Sequence, residues 1–189
     1  MEVIHLTETW LNSDTKQIGK INGFTGYHNY RSEKQEGGVF IFVRKSLLCE
    51  SVDININNDI IESIGISIIN ENKFMNILGI YRPPNTDVSS FVNTLEEVIV
   101  SNNLDRNDTL FMGDFNICLL KENENKCLIL NNMFHRYYFN PMTTKPTRIL
   151  DNCASIIDHI WVNIMNKTTS GIVVSHVTDH YFVFSSLIN

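Results

Sequence analysis

Positive charge is scarce in this chain: 15 Lys and Arg stand against 21 Asp and Glu in 189 residues, a formal net charge of −6. No global field draws it onto a polyanion, so any dealing with nucleic acid needs a local basic strip, a metal ion or another segment. Also missing is an apolar run of the ~18 residues that a membrane span requires, and Met1 leads into Glu2 without a basic leader. Those absences speak against a membrane partner and a usual signal peptide, and point to an intracellular protein. The four cysteines, Cys49, Cys118, Cys127 and Cys153, have neither CxxC spacing nor matching histidines. Buried reduced thiols are expected rather than zinc or a disulfide framework. Internal repeats, low-complexity tracts and linker-like breaks in composition are lacking too, so residues 1–189 are expected to form one domain.

Hydrophobic residues, at 43%, outnumber charged ones at 19%, which is globular and argues against disorder. Strand signals fall at Val3–Leu6, Gly38–Arg44, Val52–Ile56, Ile61–Ile69, Phe74–Tyr81, Thr109–Asp114, Ile156–Asn163, Ile172–Val177 and Tyr181–Leu187. Ile64, Ile66 and Ile68 alternate with Ser63, Gly65 and Ser67, the pattern of a strand with one covered face. By contrast, Asn76–Tyr81 and Thr109–Met112 are nearly continuous apolar runs and should be covered on both faces. Val88, Phe91, Val92, Leu95 and Ile99 recur at helical spacing after the turn Pro83-Pro84-Asn85-Thr86-Asp87, predicting a helix over Val88–Val100. A second helix is predicted over Lys126–Arg136, while Lys121–Lys126 and Asn163–Ser170 read as loops. Many strands with two helices predict a layered α/β protein dominated by packed sheets.

The chemistry is concentrated where strands stop. Gly113-Asp-Phe-Asn116 closes the run Thr109–Met112 and points Asp114 and Asn116 to the same side. A carboxylate and a carboxamide projecting together can hold a hard cation, or a water against a phosphate. Other strand ends carry Glu8, Tyr81, Asp158-His159 and Asp179-His180. Singly, each is ordinary turn, cap or core chemistry. Jointly, carboxylates, an amide, a phenol and a histidine at successive strand ends make a hydrolytic site the better reading.

In order, LTETWL, GGVFIFVRKSL, GIYRPPNTD, LFMGDFN, KPTRI, SIIDHIWVN and VTDHYFVF resemble the endonuclease/exonuclease/phosphatase superfamily. Within it they resemble the apurinic-type endonuclease domain of non-LTR retrotransposons of the jockey-like and chicken-repeat-like groups, from Met1 to about Leu187. The resemblance implies two packed mixed β-sheets flanked by helices, a four-layer, deoxyribonuclease-like α/β sandwich. It implies a Mg²⁺-dependent (or Mn²⁺-dependent) endonuclease that nicks DNA and leaves a 3′-hydroxyl to prime a reverse transcriptase segment of the same polyprotein, acting in the nucleus. Glu8 would be the principal metal ligand, with Asp179 completing the acidic cluster. Tyr81 would contact the scissile phosphate, Asp114 activate the attacking water, and Asn116 hold the phosphate or that water. His180 would stabilise developing charge, oriented by Asp158. Thr147 and Arg148 would lie in a substrate-facing loop, and Thr178 stands where many members have serine. The physics agrees, since phosphodiester cleavage needs an aligned water and neutralised charge.

One departure matters. Family members begin with a strand ending in an asparagine some tens of residues before the glutamate, whereas only seven residues precede Glu8 here. The domain is therefore expected to be truncated at its N-terminus. That raises a competing reading, a catalytically impaired or dead remnant of such a domain, because loss of a strand leaves edges unpaired. A third reading is a superfamily phosphatase acting on a lipid or inositol phosphoester.

Overall fold

The computed structural model describes residues 2–11, 20–29, 37–54, 59–70, 73–150, 153–164 and 167–187. Among them the strands are β1 (Val3–Thr7), β2 (Phe24–Asn29), β3 (Val39–Arg44), β4 (Leu48–Val52), β5 (Glu62–Asn70), β6 (Lys73–Tyr81), β7 (Asp108–Asp114), β8 (Asn140–Pro141), β9 (Arg148–Leu150), β10 (Cys153–Ser155), β11 (Asp158–Val162), β12 (Thr168–Val173) and β13 (Phe182–Leu187). The helices are α1 (Val88–Ser101) and α2 (Asn125–Arg136).

The larger sheet is mixed and runs β4-β5-β6-β7-β11-β8, the smaller runs β1-β3-β2, and β12-β13 and β9-β10 are hairpins. In the larger sheet β6 and β7 are parallel, a pairing that needs a crossover, and α1 supplies it. Asp87 caps α1: the Ser90 N–H donates to its Oδ2 at 2.8 Å, and the predicted stripe from Val88 to Ile99 is buried.

Period-2 alternation sorts the apolar runs into two cores. Leu78, Ile80, Phe111 and Trp161 face the helices and pack with Phe91, Leu95, Leu130 and Phe134. Their neighbours Ile77, Leu110, Ile160 and Val162 face the smaller sheet and meet Ile41, Val43 and Ile66. The arrangement is the expected α/β sandwich of packed sheets, and the two helices lie on the outer side of the larger one. Gly79 lets the layers close: a Cβ there would lie 2.4 Å from His5 Cδ2, so β1 settles onto β6 because nothing projects from that position.

Several boundaries differ from expectation. The strand predicted over Val52–Ile56 is β4, shifted to Leu48–Val52 by its pairing with β5; residues 55 and 56 lie outside those described. The strand predicted over Ile172–Val177 begins earlier, because Thr168–Ser170 pair with Ser185–Leu187, so part of the expected loop Asn163–Ser170 is strand; residues 165 and 166 are outside those described. All four cysteines are free, but of these only Cys127 is buried, while Cys153 is exposed. No helix among the described residues is long and apolar enough to cross a membrane.

Candidate active site

The cross-strand register assembles the site. Tyr81 ends β6 opposite Asp114 at the end of β7, and Asp114 lies opposite Asp158 at the start of β11. Three adjacent strands thus present a phenol and two carboxylates side by side. From the smaller sheet, Glu8 follows β1 with a left-handed backbone, φ 50°, and its Oε1 accepts a 2.7 Å hydrogen bond from the Tyr81 hydroxyl. His180 arrives just before β13, tied to Arg148 by a β-bridge.

Asp114 is 4% exposed, and its carboxylate is gripped by Asn116. The Asn116 backbone N–H donates to Oδ1 at 2.9 Å and its amide nitrogen to Oδ2 at 3.2 Å. Asn116 achieves this in the left-handed region, φ 49°, which asparagine tolerates better than most residues. Burial first, then the Asp158 charge, pushes the Asp114 carboxyl up to about 7 despite the Asn116 hydrogen bond and the opposing pull of His180. Asp158 holds Nδ1 of His180 through both oxygens, at 3.0 and 3.1 Å, and that bond raises the imidazole's proton affinity against the effect of burial. Burial, with the Glu8 carboxylate alongside, pushes the Tyr81 phenol far up, so it stays protonated and donates.

Asp114, Asp158 and His180 each offer a ligand atom within 4.8 Å of the others, a set that could hold a metal ion. Hard carboxylate oxygens with one imidazole suit a divalent cation.

Not every predicted residue joins this cluster. Asp179 is turned to Arg148, whose Nε and Nη2 both lie 2.6 Å from its Oδ2, and that contact lowers its pKa. Arg148 thus begins β9 with its side chain on Asp179. Thr147 is fully buried, and its hydroxyl accepts from the backbone N–H groups of Ile157 and Asp158, so it braces the start of β11 from beneath. Thr178 spends its hydroxyl locally, donating to the His180 carbonyl and accepting from the His180 N–H, a turn that presents the histidine.

Two buried ionic residues behind the site were not expected from the sequence. Glu62, 1% exposed, sits opposite Tyr81 on β5 and accepts from the Gly38 N–H. Gly37 and Gly38 in turn take up the Trp10 and Thr9 N–H groups, so Glu62 supports the turn that carries Glu8. Arg82, 2% exposed, lies beneath the Asp114–Asn116 segment. An arginine before Pro83-Pro84 in a turn reads as solvated; the one signal that could have found it is its place directly after a strand buried on both faces.

Comparison with known proteins places this geometry. The endonuclease domain of TRAS1, a telomere-specific non-LTR retrotransposon, superposes with a TM-score of 0.78 at 13% identity, covering 98% of this chain and 85% of that one. A 3′ phosphatase, NExo, from Neisseria, bound to a product DNA hairpin, gives 0.69 at 13% identity, with 98% and 88% covered. An AP endonuclease from Archaeoglobus fulgidus gives 0.69 at 11% identity, again with 98% and 88% covered. At such identities the likeness is one of fold. No curated protein shows significant sequence similarity. Membership rests on the sequence profile: residues 2–181 match it, and the chain belongs to the Endonuclease/Exonuclease/phosphatase family.

Proposed function

We propose that this chain is a divalent-metal-dependent phosphodiesterase that nicks DNA, the endonuclease of a non-LTR retrotransposon. The observation that carries this reading is the joining of Asp114, Asn116, Asp158 and His180 at adjoining strand ends by direct hydrogen bonds or cross-strand pairing. The motif order from LTETWL to VTDHYFVF and the fold likeness to the TRAS1 domain give it the retroelement setting. The proposal includes DNA as the substrate, the nucleus as the place of action and a reverse transcriptase segment of the same polyprotein as the user of the nick.

Glu8 would hold the cation, Mg²⁺ by preference. The cation supplies neutralisation of charge on the phosphodiester. Asp114 takes a proton from the attacking water, and Asn116 fixes the carboxylate's direction. The water oxygen bonds to phosphorus as the P–O3′ bond breaks with its electron pair going to O3′; the alkoxide takes a proton from solvent to leave as the 3′-hydroxyl, and Asp114 gives its proton back to solvent. With Nδ1 occupied by Asp158, Nε2 of His180 is the ring atom left to meet a phosphate oxygen and stabilise its growing charge. Tyr81, kept protonated, donates to Glu8 or to the phosphate.

A catalytically impaired relative is a second reading, favoured by one observation: Asp179 is committed to Arg148 instead of the acidic cluster. Relaxation of supercoiled plasmid with Mg²⁺ separates the readings. Wild-type chain is expected to nick, and Asp114→Ala or His180→Ala to lose roughly 10²-fold or more in rate while remaining folded. Near-wild-type nicking by either variant overturns the mechanism. Hydrolysis of an inositol phosphoester without nicking would mark a phosphatase, and inertness of folded wild-type protein on both substrates an impaired remnant.

A further inference from the structure

Arg82 is a buried cation with no carboxylate at ion-pair distance among the described residues. Its guanidinium donates to main chain alone: Nη1 to the carbonyls of Asn116 (3.3 Å) and Phe115 (3.5 Å), Nη2 to those of Thr86 and Pro84 (the latter 3.5 Å). Its Cζ lies over the Phe91 ring, 5.7 Å from the centroid. Its own backbone completes the clasp. The Arg82 N–H donates to the Asp114 carbonyl at 2.9 Å, and the Arg82 carbonyl accepts from the Asn116 amide nitrogen at 2.8 Å.

This is a poor device for stability. A desolvated guanidinium is costly, and an apolar side chain of similar volume often serves a core as well or better. Its geometry serves something else. Asn116 is held left-handed, and the same Asn116 makes both hydrogen bonds to the Asp114 carboxylate. Two contacts reach Asn116 from Arg82: the guanidinium donates to its carbonyl, and the Arg82 main-chain carbonyl, which any residue at that position keeps, accepts from its side-chain amide.

We propose that Arg82 is a positioning residue of the active site: by bridging the turn at Pro84–Thr86 to the carbonyls of Phe115 and Asn116, it fixes Asn116 in the conformation that aims the Asp114 carboxylate. The inference rests on the roles proposed above for Asp114 and Asn116. A guanidinium's planar fork spans two loops at once, whereas an ammonium on a flexible stem reaches one of them.

The test compares wild-type protein with Arg82→Lys, Arg82→Met, Asn116→Ala and the Arg82→Lys/Asn116→Ala double variant, reading kcat and KM for plasmid nicking and thermal unfolding. Arg82→Lys, on protein shown to be folded, is expected to lose roughly 10²-fold in kcat, the scale of a 1 Å misplacement, with KM within about threefold. The double variant should be little worse than Asn116→Ala, since the two act through one group. Nicking by Arg82→Lys within about threefold of wild type overturns the inference, as do losses that multiply in the double variant. So does failure of Arg82→Lys to fold, which would assign the residue to stability; Arg82→Met, whose apolar side chain should serve the core as well, is expected to fold and to lose kcat as Arg82→Lys does, and wild-type nicking by it overturns the inference. If wild-type protein does not nick at all, the functional reading fails separately, and the ¹⁵N-labelled side-chain amide of Asn116 still decides: Arg82→Lys should shift its resonance, and an unmoved resonance overturns the clasp.

Discussion

The two halves of the site are built differently. Tyr81, Asp114 and Asp158 stand on adjoining strands of the six-stranded sheet, with Thr147 buried beneath and two apolar cores packed on either face. Glu8, Asp179 and His180 arrive from β1 and the approach to β13, strands that among the described residues pair on one side alone. The side chains there are more open: Asp179 is 39% exposed and His180 30%, against 4% for the Asp114 residue. A fixed half and a lighter rim suit different tasks. On the proposed mechanism the first would hold a water and a base in register, where small displacements are costly, and the second would admit and release the polymer.

The largest expected contrast is at two glycines. Gly113 has φ 146°, and a Cβ there would lie 1.8 Å from the Ile80 carbonyl oxygen, part of the backbone of the neighbouring strand. Gly113→Ala is expected to cost about 4 kcal/mol or more, near 10 °C in Tm. On the rim, a Cβ at Gly171 meets the Phe184 ring at 2.6 Å, and that ring belongs to a residue 48% exposed, free to swing aside. Gly171→Ala should move Tm by a small fraction of that amount. Equal shifts in thermal unfolding by circular dichroism would erase the distinction between the halves.

Next in size is a pair of histidines with opposite signs. His159 is fully buried, its Nε2 2.8 Å from the Ile117 carbonyl and its ring stacked on Phe115, and burial pulls its pKa down to about 4. The unfolded chain binds that proton more readily, so the stability owed to neutral His159 is present above pH 6.5 and lost as pH falls towards 4, a matter of about 3 kcal/mol. His180 runs the other way. Its proton affinity is raised by Asp158, so its contribution is whole below pH 6.5 and fades as pH rises through the folded-state value. Imidazole resonances followed by NMR from pH 4 to 9 should show His180 titrating above 6.5 and His159 still neutral at pH 5. A His159 that titrates near 6.5 would mean the fixed half is open to water.

The fixed half was also the half legible in the sequence, for a physical reason. Asn76–Tyr81 and Thr109–Met112 are apolar without interruption because both faces are covered, and α1 announces itself through the Asp87 cap and its stripe. Where burial is one-sided or slight, local pattern fails. β2, Phe24–Asn29, mixes aromatic, small and polar groups with no apolar alternation and exists through its pairing with β3; β9 and β10 have three residues each. The candidate residues do not follow that division. Glu8 and His180 of the rim were named from the sequence together with Tyr81, Asp114, Asn116 and Asp158, because each lies at or beside a strand terminus. The burial of Thr147, Glu62 and Arg82 and the pairing of Arg148 with Asp179 depend on partners distant in sequence, which no spacing rule records.

The smallest effect belongs to that last pair. Arg148 and Asp179 form a contact of good geometry, 2.6 Å, between side chains 38% and 39% exposed, so solvent screens most of its Coulomb energy. Asp179 has its pKa lowered chiefly by the Arg148 hydrogen bond; the stability it contributes is present above the ordinary carboxylate range and lost as pH falls through the folded-state value. Asp179→Asn is expected to cost no more than ~1 kcal/mol at pH 7, less at high salt. Its consequence for nicking should exceed its consequence for stability, because Arg148 and His180 share a β-bridge and the ion pair steadies the turn that delivers the histidine. Arg148→Ala should then reproduce the loss seen in Asp179→Asn, and the double variant should add nothing. If Asp179→Asn instead abolishes nicking while Arg148→Ala leaves it intact, Asp179 serves the metal directly, and the rim is not the lighter half that its exposure suggests.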